Sequence, residues 1–522
     1  MKKLPIGVST FKEIRQEYGY YVDKTPFVKQ LVDHGKYFFL SRPRRFGKSL
    51  FVDTLKQAFL GEQTYFKGLF LEDNWDWTQK YPVIHFSFGG GVIENRQSLD
   101  IRIEEMLMDN ANQYDIHFDF HSLSGKFYEL IKKLCAKYQQ QVVILIDEYD
   151  KPILDNITET ERAVSLREGL KNIYSVIKDC DEYLKFVFLT GVSKFSKVSI
   201  FSGLNNLIDI TLDSRYATIC GYTQSELVNT FQDRLDGVDL TAIKLWYNGY
   251  HFLGESIYNP YDILLFLDNK VFKNYWFETA TPSFLIKLLQ NRRYYLPQLE
   301  QLEVTSEILE SFDVENITLE TLLFQTGYLT ITDIDNTLPG GSIFTLSYPN
   351  LEVKMSLNNY LLNDLLDHSP QKAKTQRSLY KALKNNDLDS FKGLFQSLFA
   401  SIPYHWYTKN NIDEYEGYYA SVFYCYFAAL GIDAKPEDCT NQGRIDLTVK
   451  LENYIYLIEF KVIELDIDKG KALNQIKTKK YSEKYQALAH SGLKIFLIGV
   501  EFSKKERNIV NFEWEKLETA DN

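Results

Sequence analysis

The stretch Ser41-Arg42-Pro43-Arg44-Arg45-Phe46-Gly47-Lys48-Ser49 joins two segments of different periodicity. Residues 37–40 before it form a short apolar run typical of a strand, and residues 49–59 carry apolar side chains at helical spacing. The end of the stretch has what a phosphate-binding loop needs: a glycine that frees backbone N–H groups, a lysine for phosphate charge and a hydroxyl for Mg²⁺. It therefore predicts a strand, a nucleotide-binding loop and a helix, in that order.

The motif is incomplete, because the full pattern G-x-x-x-x-G-K-S requires glycine where this chain has Arg42. A second motif about a hundred residues further on supports it. The apolar, largely β-branched run 142–146 predicts a strand buried on both faces, and it ends in Asp147 and Glu148. In nucleotide sites such an acid holds the Mg²⁺ shell and the following glutamate polarises water, although both acids also suit a simple strand cap.

Repetition of this pattern predicts the fold class. Residues 186–191 form another apolar strand, and strands alternate with helices over roughly the first 200 residues, as in a parallel α/β sheet. Thr190 or Ser193, near the end of that strand, is placed to sense a terminal phosphate. Glu148 is the predicted catalytic residue of this site. The residues predicted to bind nucleotide or its Mg²⁺ are Arg44, Arg45, Phe46, Gly47, Lys48, Ser49, Leu50 and Asp147.

A second candidate site combines Gly443-Arg444-Ile445-Asp446 with Glu459-Phe460-Lys461, which begins thirteen residues after Asp446. Two predicted strands surround these motifs, and a hairpin brings the two acids and the lysine to one face. Two carboxylates and a backbone carbonyl suit Mg²⁺, which lowers the pKa of a bound water and stabilises charge on phosphorus oxygens. The pattern predicts a phosphodiesterase site in which Lys461 orients the attacking water, but an ordinary polar-faced hairpin also produces it.

Flanking residues extend this second site. Glu416, on a helix just upstream, adds a carboxylate, while Gln475 and Lys479 lie one turn apart on the following helix and reach phosphate. Tyr481 is expected to pack nearby. The predicted metal ligands are Asp446 and Glu459, and the predicted catalytic residues are Asp446, Glu459, Lys461, Glu416 and Gln475. The predicted elements are a helix at 414–430, strands at 445–449 and 454–460, a helix at 469–489 and a strand at 493–500.

Composition limits the class of protein. The chain has 522 residues, 45% of them hydrophobic, and a formal net charge of −11, which indicates a folded multidomain protein without an overall basic field for nucleic acid. Residues 461–507 nevertheless hold 11 Lys and Arg against 6 Asp and Glu, either a phosphate-attracting face or an ordinary solvated helix. Five cysteines without a C-x-x-C pair argue against structural zinc and disulfides. Without a signal segment or a membrane-length apolar run, a cytoplasmic protein with no membrane partner is expected.

Five motifs in the first half of the chain occur together in a known order. They are Leu4-Pro5-Ile6-Gly7, Tyr21-Val22-Asp23-Lys24-Thr25, the loop from Arg42 to Leu50, Leu145-Ile146-Asp147-Glu148-Tyr149-Asp150 and Trp246-Tyr247-Asn248-Gly249-Tyr250. With them, residues 4–280 resemble the bacterial AAA-ATPase-like domain group. In that group an arginine in place of the first glycine is usual, so the resemblance implies ATP binding despite Arg42.

Four motifs near the other end carry a second resemblance. They are Glu416-Gly417-Tyr418-Tyr419, Gly443-Arg444-Ile445-Asp446, Glu459-Phe460-Lys461 and Gln475-Ile476. Residues 410–515 resemble the PD-(D/E)xK nuclease superfamily, in the branch commonly fused to that ATPase, with Ile445 where the superfamily name has proline. The resemblance implies Mg²⁺, with Mn²⁺ as a substitute, and nucleic acid as substrate, DNA in preference to RNA.

The sequence thus predicts an α/β protein in three segments. They are a P-loop NTPase parallel sheet at 1–215, a mainly helical lid or linker at 216–400 and a restriction-endonuclease-like α/β domain at 401–522. The leading hypothesis is an ATP-binding and ATP-hydrolysing protein whose nuclease cleaves DNA and is gated or positioned by the ATPase. One alternative is a regulatory ATPase switch whose nuclease-like domain only binds nucleic acid or a partner. Another is a homo-oligomer in defence or mobile-element biology, in which nucleotide-dependent assembly activates the nuclease.

Overall fold

The structure is a computed structural model, and it describes residues 1–195, 206–280, 285, 295–310, 313–337, 341–365, 372–401, 416–463, 469–490, 492–503 and 505–517. The chain divides into two compact units. The first comprises Met1–Leu288 and Glu303–Asn350, and the second comprises Leu289–Leu302 and Leu351–Asn522. The segment predicted at 216–400 is thus shared between the units, and its separate role as a lid or linker stays a prediction.

The first unit is built on a five-stranded sheet. Its strands are β1 (Tyr37–Ser41), β2 (Val83–Ser87), β3 (Val142–Asp147), β4 (Leu184–Gly191) and β5 (Ile208–Asp209). They lie in the order β2-β3-β4-β1-β5, and every neighbouring pair is parallel. β1 and β3 are buried along their whole length because their side chains are apolar on both faces. The predicted parallel α/β sheet is confirmed, and its carboxyl edge places the loop after β1 close to the end of β3.

Helices connect these strands and pack on the sheet. The described helices of the first unit are Phe11–Gln16, Thr25–His34, Lys48–Phe59, Leu71–Asn74, Arg96–Gln113, Leu123–Tyr138, Lys151–Leu154, Thr160–Asp179, Gln224–Thr230, Leu240–Tyr247, Pro260–Asn269, Tyr275–Ala280, Ser306–Glu310 and Leu319–Thr326. A separate three-stranded sheet contains β6 (Leu302–Thr305), β7 (Thr330–Asp335) and β8 (Ile343–Ser347) in the order β6-β8-β7. Its antiparallel β7–β8 pair confirms the small β element predicted around residues 329–346, while the turn predicted at Pro339 and Gly340 lies outside the described residues.

Gly249 has a backbone conformation that other residues rarely adopt, and the space beside it leaves no room for a side chain. Its φ is 117°, and a Cβ built on it would lie 1.8 Å from the carbonyl oxygen of Pro349. We expect Gly249→Ala to lower the free energy of unfolding by about 3 kcal/mol or more. Chemical denaturation measures this change, with Gly90→Ala as the control, because a Cβ there meets its nearest neighbour, Arg102, at 3.7 Å. Equal stability of the two variants would contradict the geometry.

The second unit is built on a mixed five-stranded sheet. Its strands are β9 (Asp433–Thr440), β10 (Gly443–Leu451), β11 (Tyr454–Ile463), β12 (Lys494–Ser503) and β13 (Asn508–Lys516), in the order β13-β12-β11-β10-β9. β11 and β12 are parallel, and the other neighbouring pairs are antiparallel. The three predicted strands are present, and the sheet confirms the predicted α/β class of the carboxyl-terminal region. The predicted α-β-β-α-β order was incomplete, because β9 and β13 extend the sheet at its two edges.

The long helix predicted at 469–489 was also wrong. The structure has a helix at Lys471–Thr478, a 3₁₀ turn at Tyr481–Tyr485 and a short helix at Gln486–His490. The break occurs at Lys480, whose φ of 49° lies in the left-handed region and ends the helical path. This change of direction buries the Tyr481 side chain. We call the helix Lys471–Thr478 the Gln475 helix.

The other α-helices in the described residues of the second unit are Leu351–Leu365, Lys372–Lys384, Leu388–Ser401 and Glu416–Ala429. Aromatic packing joins the last two of them, with the rings of Phe395 and Phe423 stacked at 3.7 Å between centroids. Phe423 also packs against Phe460 of β11, so the helix beginning at Glu416 is held on the sheet.

Across the described ranges of the whole chain, no helix is both long and apolar enough to span a membrane.

Candidate functional site

The loop after β1 is shaped by left-handed backbone positions and by a buried arginine. Arg45 has φ 67° and Gly47 has φ 89°, and the helix Lys48–Phe59 begins directly after Gly47. The Arg42 guanidinium is fully buried, donates to the carbonyl oxygens of Ser41 (2.9 Å) and Thr211 (2.8 Å), and lies 3.9 Å from the Phe252 ring centroid. Burial lowers the pKa of Arg42 to about 10. Arg42 therefore anchors the base of the loop where the full motif has its first glycine.

Lys48 lies inside the loop. Its ammonium group donates to the carbonyl oxygens of Arg42 and Pro43, each at 2.9 Å. Burial lowers the pKa of Lys48, and the nearby carboxylates of Asp147, Glu148 and Asp150 oppose that effect. The loop thus holds a buried cation beside the acids that end β3.

The acids at the end of β3 meet the start of the helix. The Asp147 carboxylate is hydrogen-bonded by the Ser49 side chain; burial raises the pKa of Asp147, and this hydrogen bond opposes the rise. Glu148 has φ 53°, and a Cβ built on Gly89 would lie 3.1 Å from its Oε2 atom. The structure therefore brings together Lys48, Ser49, Asp147 and Glu148, which the two separate motifs predicted for one site.

A cleft of about 560 Å³ opens beside these residues. Its lining includes the predicted residues Arg44, Arg45, Gly47, Lys48, Ser49, Leu50 and Glu148. It also includes Pro5, Gly7, Val8, Tyr222, Pro260, Tyr261 and Leu264, which were not predicted as site residues. The Arg45 guanidinium lies 4.8 Å from the Tyr261 ring centroid, so a predicted residue contacts one of these unpredicted residues. Among the unpredicted residues, Pro5 and Gly7 belong to the motif Leu4-Pro5-Ile6-Gly7.

Phe46, Thr190 and Ser193 were predicted for the nucleotide site but do not line the cleft. The Phe46 ring is buried and packs edge-on against Tyr250 at 4.7 Å between centroids. The Thr190 hydroxyl donates to the carbonyl oxygen of Leu40 (2.9 Å), and the Ser193 hydroxyl donates to the Asp150 carboxylate (2.6 Å). Phe46 thus packs behind the loop. Both hydroxyls are buried, and the partner of Ser193, Asp150, itself lines the cleft.

The second site forms where β10 and β11 lie side by side. The Asp446 carboxylate accepts a hydrogen bond from the backbone N–H of Phe460 (2.7 Å). Glu459 is 1% exposed; its carboxylate accepts a hydrogen bond from the Gln475 side-chain amide and lies 3.6 Å from the Lys461 ammonium group. Asp446, Glu459, Lys461 and Gln475 therefore converge, although they come from two strands and one helix.

Tyr481 also belongs to this cluster. A Cβ built on Gly443 would lie 2.9 Å from the Tyr481 hydroxyl oxygen. Burial raises the pKa of Tyr481, as does the Glu459 carboxylate, and a hydrogen bond with Gln475 opposes these effects. Lys479 is exposed on the last turn before the break at Lys480. Tyr481 was expected to pack near the second site, and the break at Lys480 that directly precedes it was not predicted.

The donor set of the second site consists of two described carboxylates. Glu416 begins the helix Glu416–Ala429, but its side chain lies outside the described residues. Among the side chains that the structure describes, no three His, Cys, Asp or Glu residues converge as metal ligands. Asp446 and Glu459 are hard oxygen donors of the kind that Mg²⁺ prefers, and backbone carbonyl oxygens or water would complete its shell.

Two protein-family models match the chain. The "Predicted AAA-ATPase" model of the AAA-ATPase-like family matches residues 5–201, and the "PD-(D/E)XK nuclease superfamily" model matches residues 414–512. The chain is also similar to a protein from Azotobacter chroococcum mcd 1 described as "Uncharacterized protein in vnfD 5′ region". The two sequences are 50% identical over 521 residues, which covers 99% of each chain. The chain therefore belongs to the same family as this Azotobacter protein, and it combines an AAA-ATPase-like domain with a carboxyl-terminal domain of the PD-(D/E)XK nuclease superfamily.

Proposed function

We propose that this protein hydrolyses ATP and cleaves DNA with a Mg²⁺-dependent nuclease site, and that its ATPase unit gates or positions the nuclease. The observation that carries the proposal is the convergence of Asp446, Glu459, Lys461 and Gln475 in the second unit. Matches to an ATPase family and a nuclease superfamily support the two halves of the proposal.

In the first unit, the cleft has the residues that a Mg²⁺–nucleotide complex requires. Lys48 supplies positive charge within the loop, and Arg44 and Arg45 add charge along the cleft wall. The hydrogen-bonded pair Ser49 and Asp147 presents adjacent oxygen ligands for Mg²⁺, which neutralises phosphate charge when bound. Pro5, Tyr222 and Tyr261, which also line the cleft, offer apolar surface on which the nucleotide base packs.

Glu148 is the residue that we assign to activation of the attacking water. Glu148→Gln keeps the size of the side chain but removes its basic oxygen, so we expect ATP hydrolysis to fall about 10²-fold or more while ATP binding remains. Single-turnover hydrolysis and equilibrium binding of labelled ATP separate the two effects. Glu94→Gln, at an exposed position, serves as the control. Wild-type hydrolysis in the Glu148 variant would remove this residue from the mechanism.

In the second unit, each residue has a distinct task in phosphodiester cleavage. Asp446 and Glu459 would hold the divalent metal, which would lower the pKa of a bound water and stabilise charge on the phosphate. Lys461 orients the attacking water, and its cationic head lies beside the Glu459 carboxylate. Gln475 holds that carboxylate in place through its amide. Exposed Lys479, directly after the Gln475 helix, is placed to contact the nucleic-acid backbone.

The alternative function is a regulatory ATPase whose nuclease-like domain binds nucleic acid or a partner without cutting it. The deciding experiment incubates the full chain with single- and double-stranded DNA and RNA, in Mg²⁺ or Mn²⁺. Cleavage of DNA supports the nuclease, whereas binding without cleavage of any substrate supports the alternative.

A further inference from the structure

Glu501 is a fully buried carboxylate on β12, beside the strand that carries the second site. In the parallel β11–β12 pair, Lys461 is opposite Glu501 and Glu459 is opposite Gly499. A buried charge is tolerated only when hydrogen bonds replace its lost hydration. Glu501 has no assigned role in nucleotide binding or cleavage, so its hydrogen-bond partners indicate what it does.

The partners of Glu501 lie at the start of the Gln475 helix. Its Oε2 atom accepts from the backbone N–H of Gly470 (2.9 Å), and its Oε1 atom accepts from the backbone N–H of Ala472 (3.0 Å). The Asn511 side-chain amide donates to Oε2 at 2.8 Å. The first N–H groups of a helix need acceptors, and the N-cap residue Gly470 has no side chain to supply one. Glu501 therefore caps this helix from a neighbouring strand, where its negative charge also favours the helix dipole.

Gly499 determines how closely the same helix approaches the sheet. A Cβ built on Gly499 would lie 2.4 Å from the backbone nitrogen of Leu473 and 2.9 Å from its Cα. The first turn of the helix therefore rests directly on the β12 backbone, and only glycine leaves room for it. Gly499 limits how closely the helix approaches the sheet, while Glu501 holds its amino-terminal end.

This arrangement determines where Gln475 lies. Gln475 is about one turn after Ala472, and its amide donates to the Glu459 carboxylate. We propose that Glu501, with Gly499, is a positioning residue of the nuclease site: it fixes the first turn of the Gln475 helix so that Gln475 holds Glu459. The proposal rests on the proposed nuclease function for its effect on cleavage, but not for its effect on the helix.

The test uses the full chain and four variants: Glu501→Gln, Gln475→Ala, their double variant and Glu515→Gln. Glu501→Gln keeps the shape but replaces one acceptor oxygen by an NH₂ group. Glu515 is the matched control, because its carboxylate contacts Lys477 of the same helix at 2.6 Å from an exposed position. Hydrogen exchange of the amides in residues 471–478 and the rate of Mg²⁺-dependent DNA cleavage are measured for each variant.

We expect Glu501→Gln to speed exchange in residues 471–478 about 10-fold or more and to slow cleavage roughly 10- to 100-fold, the range of outer-shell residues at metal sites. Because Glu501 acts through Gln475, the double variant should be no more than about 2-fold slower than Gln475→Ala. Glu515→Gln should change neither readout. If Glu501→Gln does not fold, Asn511→Ala, which removes one hydrogen bond of this carboxylate, should give smaller effects of the same sign.

Two results would overturn the positioning role: unchanged exchange in residues 471–478, or a double variant slowed by the product of the two single effects. If wild-type protein cleaves no substrate, the proposed nuclease function fails. Hydrogen exchange still decides whether Glu501 holds the helix in that case, so the two failures are distinguishable.

Discussion

Asp446→Asn is expected to lower the rate of Mg²⁺-dependent DNA cleavage by about 10³-fold or more, because loss of one of two charged metal ligands removes several kcal/mol of transition-state stabilisation. The substitution keeps an oxygen that can accept the hydrogen bond from the Phe460 N–H, so the fold should be preserved. The substitution should therefore weaken metal binding without disturbing the pairing of β10 and β11. Initial rates at saturating Mg²⁺ measure this change.

The matched control for this prediction is Asp433→Asn, which neutralises an exposed acid on β9 of the same sheet. It should retain cleavage within a factor of about two, since exposed substitutions rarely perturb a fold. A titration with Mg²⁺ and Mn²⁺ shows whether a higher metal concentration restores the Asp446 variant. Cleavage by Asp446→Asn at the wild-type rate would place the active metal site elsewhere.

Lys48→Ala is expected to weaken ATP binding about 10²-fold and to reduce hydrolysis to background, because it removes the buried cation of the phosphate loop. Lys48 also holds the loop together through the carbonyl oxygens of Arg42 and Pro43. The variant therefore loses both phosphate charge and loop geometry. Equilibrium binding of labelled ATP measures the change in affinity directly.

Lys56→Ala is the matched control, since Lys56 lies two turns further along the same helix and does not line the cleft. It should bind ATP with wild-type affinity. Lys48→Arg separates the contribution of the charge to ATP affinity from that of the loop geometry. Arginine keeps the positive charge but is too large for the buried site. Wild-type ATP affinity in Lys48→Ala would mean that nucleotide binds somewhere other than this cleft.

The parts of the fold that were predictable have strong local patterns. The apolar runs that became β1, β3 and β4 are buried on both faces, so their composition alone identified them. β9 was missed because it is an edge strand that reads Asp-Ala-Lys-Pro-Glu-Asp-Cys-Thr, with polar residues and a proline inside it. The break at Lys480 was missed because lysine rarely adopts positive φ, and no glycine or proline marks that position.

The candidate sites were predictable where one motif places its residues on one element or on adjacent strands. Asp446 and Glu459 meet because β10 and β11 pair, as the alternating pattern indicated. The contribution of Pro5, Tyr222 and Tyr261 to the lining of the nucleotide cleft was not predictable, since these residues are distant in sequence and carry no spacing signal. The burial of Arg42 also required the structure, because its carbonyl partner Thr211 lies 169 residues away.

The central experiment compares DNA cleavage with and without ATP in wild-type protein, Lys48→Ala and Asp446→Asn, in one Mg²⁺ buffer. We predict that ATP changes the wild-type rate, that Lys48→Ala cleaves at a rate independent of ATP, and that Asp446→Asn does not cleave under either condition. A wild-type rate that is the same with and without ATP would contradict control of the nuclease by the nucleotide site. Wild-type cleavage by Asp446→Asn would contradict the assignment of the nuclease site itself.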